Sequence, residues 1–226
     1  MIGNRFNKIA IIGAAGVGKT TLLNSLFEDS TISVKYTKIE EVVRKLCAER
    51  GFENPYSITG DLDQFRHDVL MRQIYEENKA ESFISDRSTI DAWAYYMRWS
   101  WNTSTVEKTE EFYQAAYKQA QQYDQIIYLP IMFEERNPAN QSFASDADTK
   151  KVGTMQSMSP ASKKQWNFRE NPIQDDGFRW NNAIYQKQID RLLRSIIYDW
   201  GFSDKVYEIK SETIDHRLQE LFDLGF

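Results

Sequence analysis

Four things are scarce in this chain, and each scarcity excludes something. Cys47 is the single cysteine among 226 residues, so no internal disulfide can form. Its setting, Val42-Val43-Arg44-Lys45-Leu46-Cys47, reads as helix with a buried structural thiol. His67 and His216 are the only histidines. With one cysteine beside them they cannot assemble a zinc-type cluster, and any metal is expected to be a hard, oxygen-bound cation. Long apolar runs are missing too. No stretch approaches a membrane span, and Met1-Ile2-Gly3-Asn4-Arg5-Phe6 leads into the first predicted strand rather than into a signal peptide, so a soluble, intracellular, cytoplasmic protein is expected. Basic charge is not in excess: 28 Lys+Arg stand against 33 Asp+Glu, a net charge of −5. That balance argues against coating nucleic acid by bulk charge, although a local basic groove stays open.

What is present is ordinary globular material, 41% hydrophobic and 14% aromatic, enough for a buried core and for one domain over 1–226. There is no internal repeat. Lys8 to Ile12 is a short continuous apolar strand of the kind buried on both faces of a parallel sheet. A helix follows over 18–28. Thr31 to Ile39 alternates, with Ile32, Val34, Tyr36 and Ile39 apolar, and predicts a second strand ending near Glu40. Further helices are predicted over 41–50, ending at Gly51, and over 61–80. The end of the latter, Asn78-Lys79-Ala80-Glu81, only mimics a guanine-reading motif. A third strand over 82–85 precedes helices at 89–99 and 105–122, and a fourth strand covers 125–129. Residues 132–178 lack any apolar period and predict a long lid or insertion. Ile189, Leu192, Leu193, Ile196, Ile197 and Trp200 then mark an amphipathic helix, Val206-Tyr207-Glu208-Ile209 a last strand, and Ile214, Leu218, Leu221 and Phe222 a closing helix. Strands alternating with helices predict an α/β protein with a mainly parallel sheet of about five strands, helices on both faces, and ligands beyond the C-terminal strand ends.

Residues 13–20 read Gly13-Ala14-Ala15-Gly16-Val17-Gly18-Lys19-Thr20, a complete GxxxxGK[ST] phosphate-binding loop between the first strand and its helix, with Thr21 next. The glycines let successive N–H groups curl around a polyphosphate at a helix N-terminus. Lys19 adds a positive charge on the β/γ-phosphates, and the Thr20 hydroxyl is placed to hold Mg²⁺.

Other polar groups gather at the strand ends. Glu41 and Arg44, three apart on a starting helix, suit acceptance of an acceptor's proton and retention of phosphoryl charge, although an exposed ion pair would look the same. After the third strand come Asp86-Arg87-Ser88 and, one turn on, Asp91. Asp86 sits where proteins with this loop hold Mg²⁺ or place a base. Hydrolytic ATPases favour Glu at the next position; Arg87 instead suits a phosphate or an acceptor, which favours transfer over hydrolysis. Arg179 is expected to close over the phosphates, and Arg217 to stack near the nucleotide base.

These motifs resemble the nucleoside and nucleotide kinase branch of P-loop proteins, within it the AAA-domain-like ATPase/kinase group that includes nicotinamide riboside kinases and many phage-encoded members. The matching pieces are GAAGVGKTT, Glu41-Val-Val-Arg44, Ser85-Asp86-Arg87 through Tyr95, Tyr123-Asp124, Asp176-Gly177-Phe178-Arg179 and Ile189-Asp190-Arg191. The resemblance implies the P-loop three-layer α/β/α fold, ATP with Mg²⁺ as cofactors, and a nucleoside or nucleoside monophosphate as phosphoryl acceptor. Lys19, Thr20, Asp86 and Arg87 become core functional positions, with Glu41, Arg44 and Arg179 beside them, and a host-cytoplasm location follows if the chain is phage-encoded. Residues 137–170 depart from the pattern as an insertion between strand four and DG-x-R. Two other readings remain open. In one, a kinase acts on a hydroxyl carried by DNA, using Trp93, Tyr95, Tyr96, Trp99 and Trp101 to stack a flipped base. In the other, the protein is a nucleotide-switched binding module.

Overall fold

The computed structural model describes residues 6–100, 103–132 and 183–226. Strand β1 (Lys8–Ile12) lies at the centre of a five-stranded sheet of order β2-β3-β1-β4-β5. Its neighbours are β3 (Phe83–Asp86) and β4 (Gln125–Tyr128), with β2 (Thr37–Ile39) and β5 (Val206–Glu208) at the edges, and every pairing is parallel. Ile9, Ala10, Ile11 and Ile12 are each 0% exposed. Successive strand residues point to opposite faces, so both faces of β1 are covered, as its unbroken apolar run requires.

Helices flank the sheet. They are α1 (Lys19–Leu26), α2 (Ser30–Lys35), α3 (Val42–Glu49), α4 (Leu62–Lys79), α5 (Thr89–Trp99), α6 (Val106–Ala120), α7 (Ala183–Asp199) and α8 (Ile214–Asp223). Most follow the expected spans closely. Asn78 and Lys79 close α4, the polar helix end their composition indicates. Cys47 is buried in a small second core with Val42, Leu46 and Phe65, and burial pushes its thiol pKa up.

One element differs from its expectation. The stretch 31–39 is not a single strand: Ser30–Lys35 is helical and only Thr37–Ile39 joins the sheet. The cause is Asp29, whose Oδ1 accepts from the Thr31 N–H at 2.7 Å and so caps a helix start. Ile32 and Tyr36, four apart, are buried, whereas Val34, which an alternating strand would bury with them, is 88% exposed. The apolar spacing therefore fits a helical turn as well as a strand, and the cap decides between them.

The segment 133–182 lies outside the described residues, and with it Arg179 and nearly all of the lid expected over 132–178.

Candidate active site

The phosphate loop leaves the centre of the sheet at β1 and ends at α1. Gly13 has φ +148°, and a Cβ there would meet the Leu129 carbonyl oxygen at 2.5 Å, so no side chain fits where the loop turns past β4. Lys19 is 3% exposed, and its Nζ donates to the carbonyls of Gly13 at 2.8 Å and Ala14 at 2.7 Å. Ala14, Ala15 and Val17 are buried, Gly16 and Gly18 partly so, and Thr21 is exposed on the first turn of α1. The Thr20 hydroxyl donates to Asp86 Oδ2. That contact joins the end of the loop to the end of β3, whose Asp86 pairs in register with Ile11 of β1.

Asp86 is 0% exposed, and its Oδ1 is buried without a hydrogen-bond partner. A buried carboxylate oxygen facing no donor is costly. With the Thr20 hydroxyl beside it, the pair has the oxygen chemistry a magnesium ion takes, directly or through water. Among the described residues no group of His, Cys, Asp or Glu side chains could hold a metal on its own.

Arg87 has φ +80°, and no other described residue except glycine has a positive φ. For an arginine this costs roughly 1–2 kcal/mol and is held only by surrounding contacts. The Arg87 N–H donates to the Ile11 carbonyl at 3.0 Å, and the Arg87 carbonyl accepts from the Ser85 hydroxyl at 2.6 Å. The result turns the guanidinium inward: Nε donates to Glu41 Oε1 at 2.6 Å, Nη1 lies 3.7 Å from Asp91 Oδ1, and the group stacks over the Tyr95 ring at 5.0 Å. Burial works against the charge of Arg87, but Tyr95, Glu41, Asp91 and Asp86 outweigh it and hold the pKa well above the ordinary value.

Glu41 ends the β2 connection at the N-terminus of α3 and is 4% exposed. It accepts from Arg87 through one oxygen and from Arg44 Nε at 2.8 Å through the other, which makes it the bridge between two cations rather than half of an exposed surface pair. Ser88 caps α5 by accepting from the N–H groups of Ile90 and Asp91, and its hydroxyl donates to Asp91 Oδ2 at 2.9 Å. Asp91 is pushed up in pKa by burial, against the opposing pull of Arg87 and Lys19.

Above this cluster opens a cavity of about 280 Å³. It is lined by the polar groups of Glu41, Arg87, Ser88 and Asp91, by Ala15 of the phosphate loop, and by a largely apolar and aromatic set that includes Tyr56, Phe65, Tyr95, Trp99 and Tyr185. A concave, largely apolar pocket with a few convergent polar groups is the usual form of a small-molecule site.

The structure thus brings together Lys19, Thr20, Glu41, Arg44, Asp86, Arg87 and Asp91 around one loop and one cavity. Arg217, expected to stack near a nucleotide base, lies against the phosphate loop, where its Nη1 donates to the Val17 carbonyl at 2.9 Å. The aromatic helix divides its residues. Trp93 and Tyr96 belong to the core, Tyr96 stacking on Phe112 at 4.2 Å, whereas Tyr95 and Trp99 line the cavity; Trp101 is outside the described residues. Sequence reasoning did not find the cavity walls from α4 and α7, nor Gln186, whose Nε2 donates to the Ala15 carbonyl at 2.8 Å. No local motif marks them, because they reach the site only through packing.

The comparisons agree with this architecture. The family model described as AAA domain matches residues 8–156. No curated protein matches the chain by sequence. Among solved structures, the NadR protein in complex with NR aligns with a TM-score of 0.59 at 15% identity, covering 96% of this chain and 50% of that one, so this chain spans half its length. Deoxyadenosine kinase from M. mycoides, with products dCMP and a flexible dCDP bound, aligns with a TM-score of 0.56 at 13% identity, covering 96% of this chain and 97% of the kinase. Thymidylate kinase from Candida albicans aligns with a TM-score of 0.50 at 14% identity, covering 96% of this chain and 90% of the kinase. At such identities the likeness is one of fold. The glycine loop after β1, the parallel sheet that presents it and the family match over well more than half of the sequence lead to one conclusion: the chain belongs to the AAA domain family and has the fold of P-loop kinases.

Proposed function

We propose that the protein is an ATP-dependent phosphotransferase that acts on a nucleoside or a nucleoside monophosphate. The observation that carries this reading is the position of the Glu41–Arg87–Asp91 cluster. It lines, together with Ala15 of the phosphate loop, a cavity whose other lining residues are largely apolar and aromatic. A flat, largely apolar ring system suits such a lining, and a hydroxyl reaching the Glu41–Arg87–Asp91 cluster would meet a carboxylate and a guanidinium near the phosphate loop.

The loop amides and Lys19 would bind the ATP phosphates, and Thr20 and Asp86 would hold Mg²⁺, which supplies charge neutralisation on the β- and γ-phosphates when bound. Glu41 faces the cavity while Asp86 is engaged with Thr20, which favours Glu41 as the group that orients the acceptor hydroxyl and takes its proton. Arg87 and Arg44, both bound to Glu41, would neutralise the moving phosphoryl group, and Asp91 would fix Arg87 and contact the acceptor. The deoxyadenosine and thymidylate kinases that this chain resembles support the acceptor class, because they share the fold over nearly their whole length.

The test is ADP formation measured with a panel of nucleosides and deoxynucleoside monophosphates. Turnover that rises sharply with one acceptor is expected. ADP release indifferent to all of them, or tight ATP binding without transfer, would point to a nucleotide-switched binding module instead.

A further inference from the structure

We infer that Gln186, with Arg217 in support, is a positioning residue that turns two backbone amides of the phosphate loop toward bound phosphate. The inference rests on the nucleotide-binding part of the reading above.

Two loop carbonyls are held from outside the loop by buried side chains of distant elements. Gln186 on α7 is 5% exposed, and its Nε2 donates to the Ala15 carbonyl at 2.8 Å. Arg217 on α8 is 4% exposed; its Nη1 donates to the Val17 carbonyl at 2.9 Å and its Nε to the Ser211 carbonyl at 2.9 Å. A trans peptide is planar, with its C=O and N–H on opposite sides, and no peptide among the described residues is cis. Drawing the Ala15 oxygen toward α7 therefore aims the Gly16 N–H away from α7. Drawing the Val17 oxygen toward α8 does the same for the Gly18 N–H. No hydrogen bond among the described residues takes up either of these N–H groups.

The pinning matters because of the residues it acts on. Gly16 has φ +81° and Gly18 φ +94°, and without a Cβ both flanking peptides could rotate at little steric cost. A rotated peptide would present a carbonyl oxygen to the phosphate, exchanging an attraction for a repulsion. Donors already aimed before the ligand arrives need no reorganisation, which is where electrostatic binding sites gain their strength. The glycines make the loop able to hold phosphate, and Gln186 and Arg217 keep it in the orientation that does so.

The experiment compares the wild type with Gln186→Met, which keeps the side-chain length and removes the donor, and with Arg217→Met, which removes the donor at the second carbonyl together with the guanidinium charge and its bond to Ser211. ATP with Mg²⁺ is titrated by calorimetry, and the backbone amides are followed in protein labelled with ¹⁵N-glycine. Gln186→Met is expected to bind ATP about tenfold more weakly, the loss of roughly one charge-assisted hydrogen bond. Its Gly16 amide resonance should move in the free protein and lose most of its response to ATP, while Gly201, remote from the loop, keeps its position. Arg217→Met should do this to Gly18. Unchanged ATP affinity, or weaker binding with the Gly16 resonance unmoved, would overturn the inference and leave Gln186 a packing residue of α7. A wild type that binds no ATP would end the kinase reading instead. The free-protein resonances would then still decide the inference, because a Gly16 signal unaltered by Gln186→Met refutes it without any ligand. If one variant does not fold, the other makes the same comparison at its own glycine.

Discussion

On the proposed reading Lys19 serves binding and Glu41 chemistry, and their variants separate the two at the level of single residues. Lys19 is held against the carbonyls of Gly13 and Ala14, a buried cation pointed along the inside of the loop. Lys19→Ala removes the charge the phosphates need; a loss of ATP affinity by at least tenfold, together with loss of turnover, is expected in calorimetry and in an ADP-release assay. Glu41→Gln keeps the shape and can still accept from Arg87, but it no longer offers a basic carboxylate to an acceptor. Turnover should fall by about 10²-fold or more while the Kd for ATP stays near that of the wild type. Equal loss of both would mean that Glu41 holds the loop rather than the acceptor. These two residues were legible without coordinates, because each belongs to a short motif at a predicted strand end. Arg87 was legible as a residue but not as a conformation: nothing in Asp-Arg-Ser announces φ +80°. The reason for that angle is a pair of hydrogen bonds, one of them to Ile11, far away in the chain.

At the level of elements, α2 shows how a local cap can override an alternating pattern. Asp29 accepts from the Thr31 N–H and from the Thr31 hydroxyl, so Asp29→Ala should destabilise the protein by about 1 kcal/mol, read as a lower urea midpoint with an unchanged slope. Helices with long apolar periods, such as α7, were placed well from their spacing, because a 3.6-residue period repeated over several turns admits few alternatives. Short elements are less determined. β2 has only the length Thr37–Ile39 and is an edge strand, so its identity comes from pairing with β3 rather than from its own residues. The aromatic run in α5 was legible as apolar but not as divided. Helical geometry turns Trp93 and Tyr96 into the core and Tyr95 and Trp99 toward the cavity, and only the neighbours α6 and α7 determine which side is which.

At the level of the whole molecule, a buried polar network ties α4, α5 and α6 together. Glu77 is 0% exposed; it accepts from Gln73 at 2.8 Å, from Gln119 at 2.9 Å and from Tyr123, whose hydroxyl in turn accepts from the Thr89 N–H at 3.0 Å near the start of the helix that carries Asp91. Burial raises the Glu77 pKa to about 7, against the lowering effect of these donors. In the unfolded chain the group ionises near its ordinary value of about 4.3, so between that value and about 7 the folded protein holds a proton the unfolded chain has lost. Stability therefore falls as pH rises through that window, by at most about 4 kcal/mol, and flattens above it. Thermal midpoints measured from pH 5 to pH 8 should decline in the wild type and decline less in Glu77→Gln, which has no proton to lose.

The phosphate loop, the strand–helix alternation and the carboxylate–guanidinium pairs at the strand ends were written in consecutive residues, because backbone conformation, hydrophobic period and helix capping act over a few positions at a time. Packing alone decided the order of the strands, the angle of Arg87, the walls of the cavity and the grip of Gln186 and Arg217 on the loop. Each of these joins residues tens to hundreds of positions apart, and the free energy that joins them comes from burial and hydrogen bonds that exist only once the sheet and its helices have closed around β1.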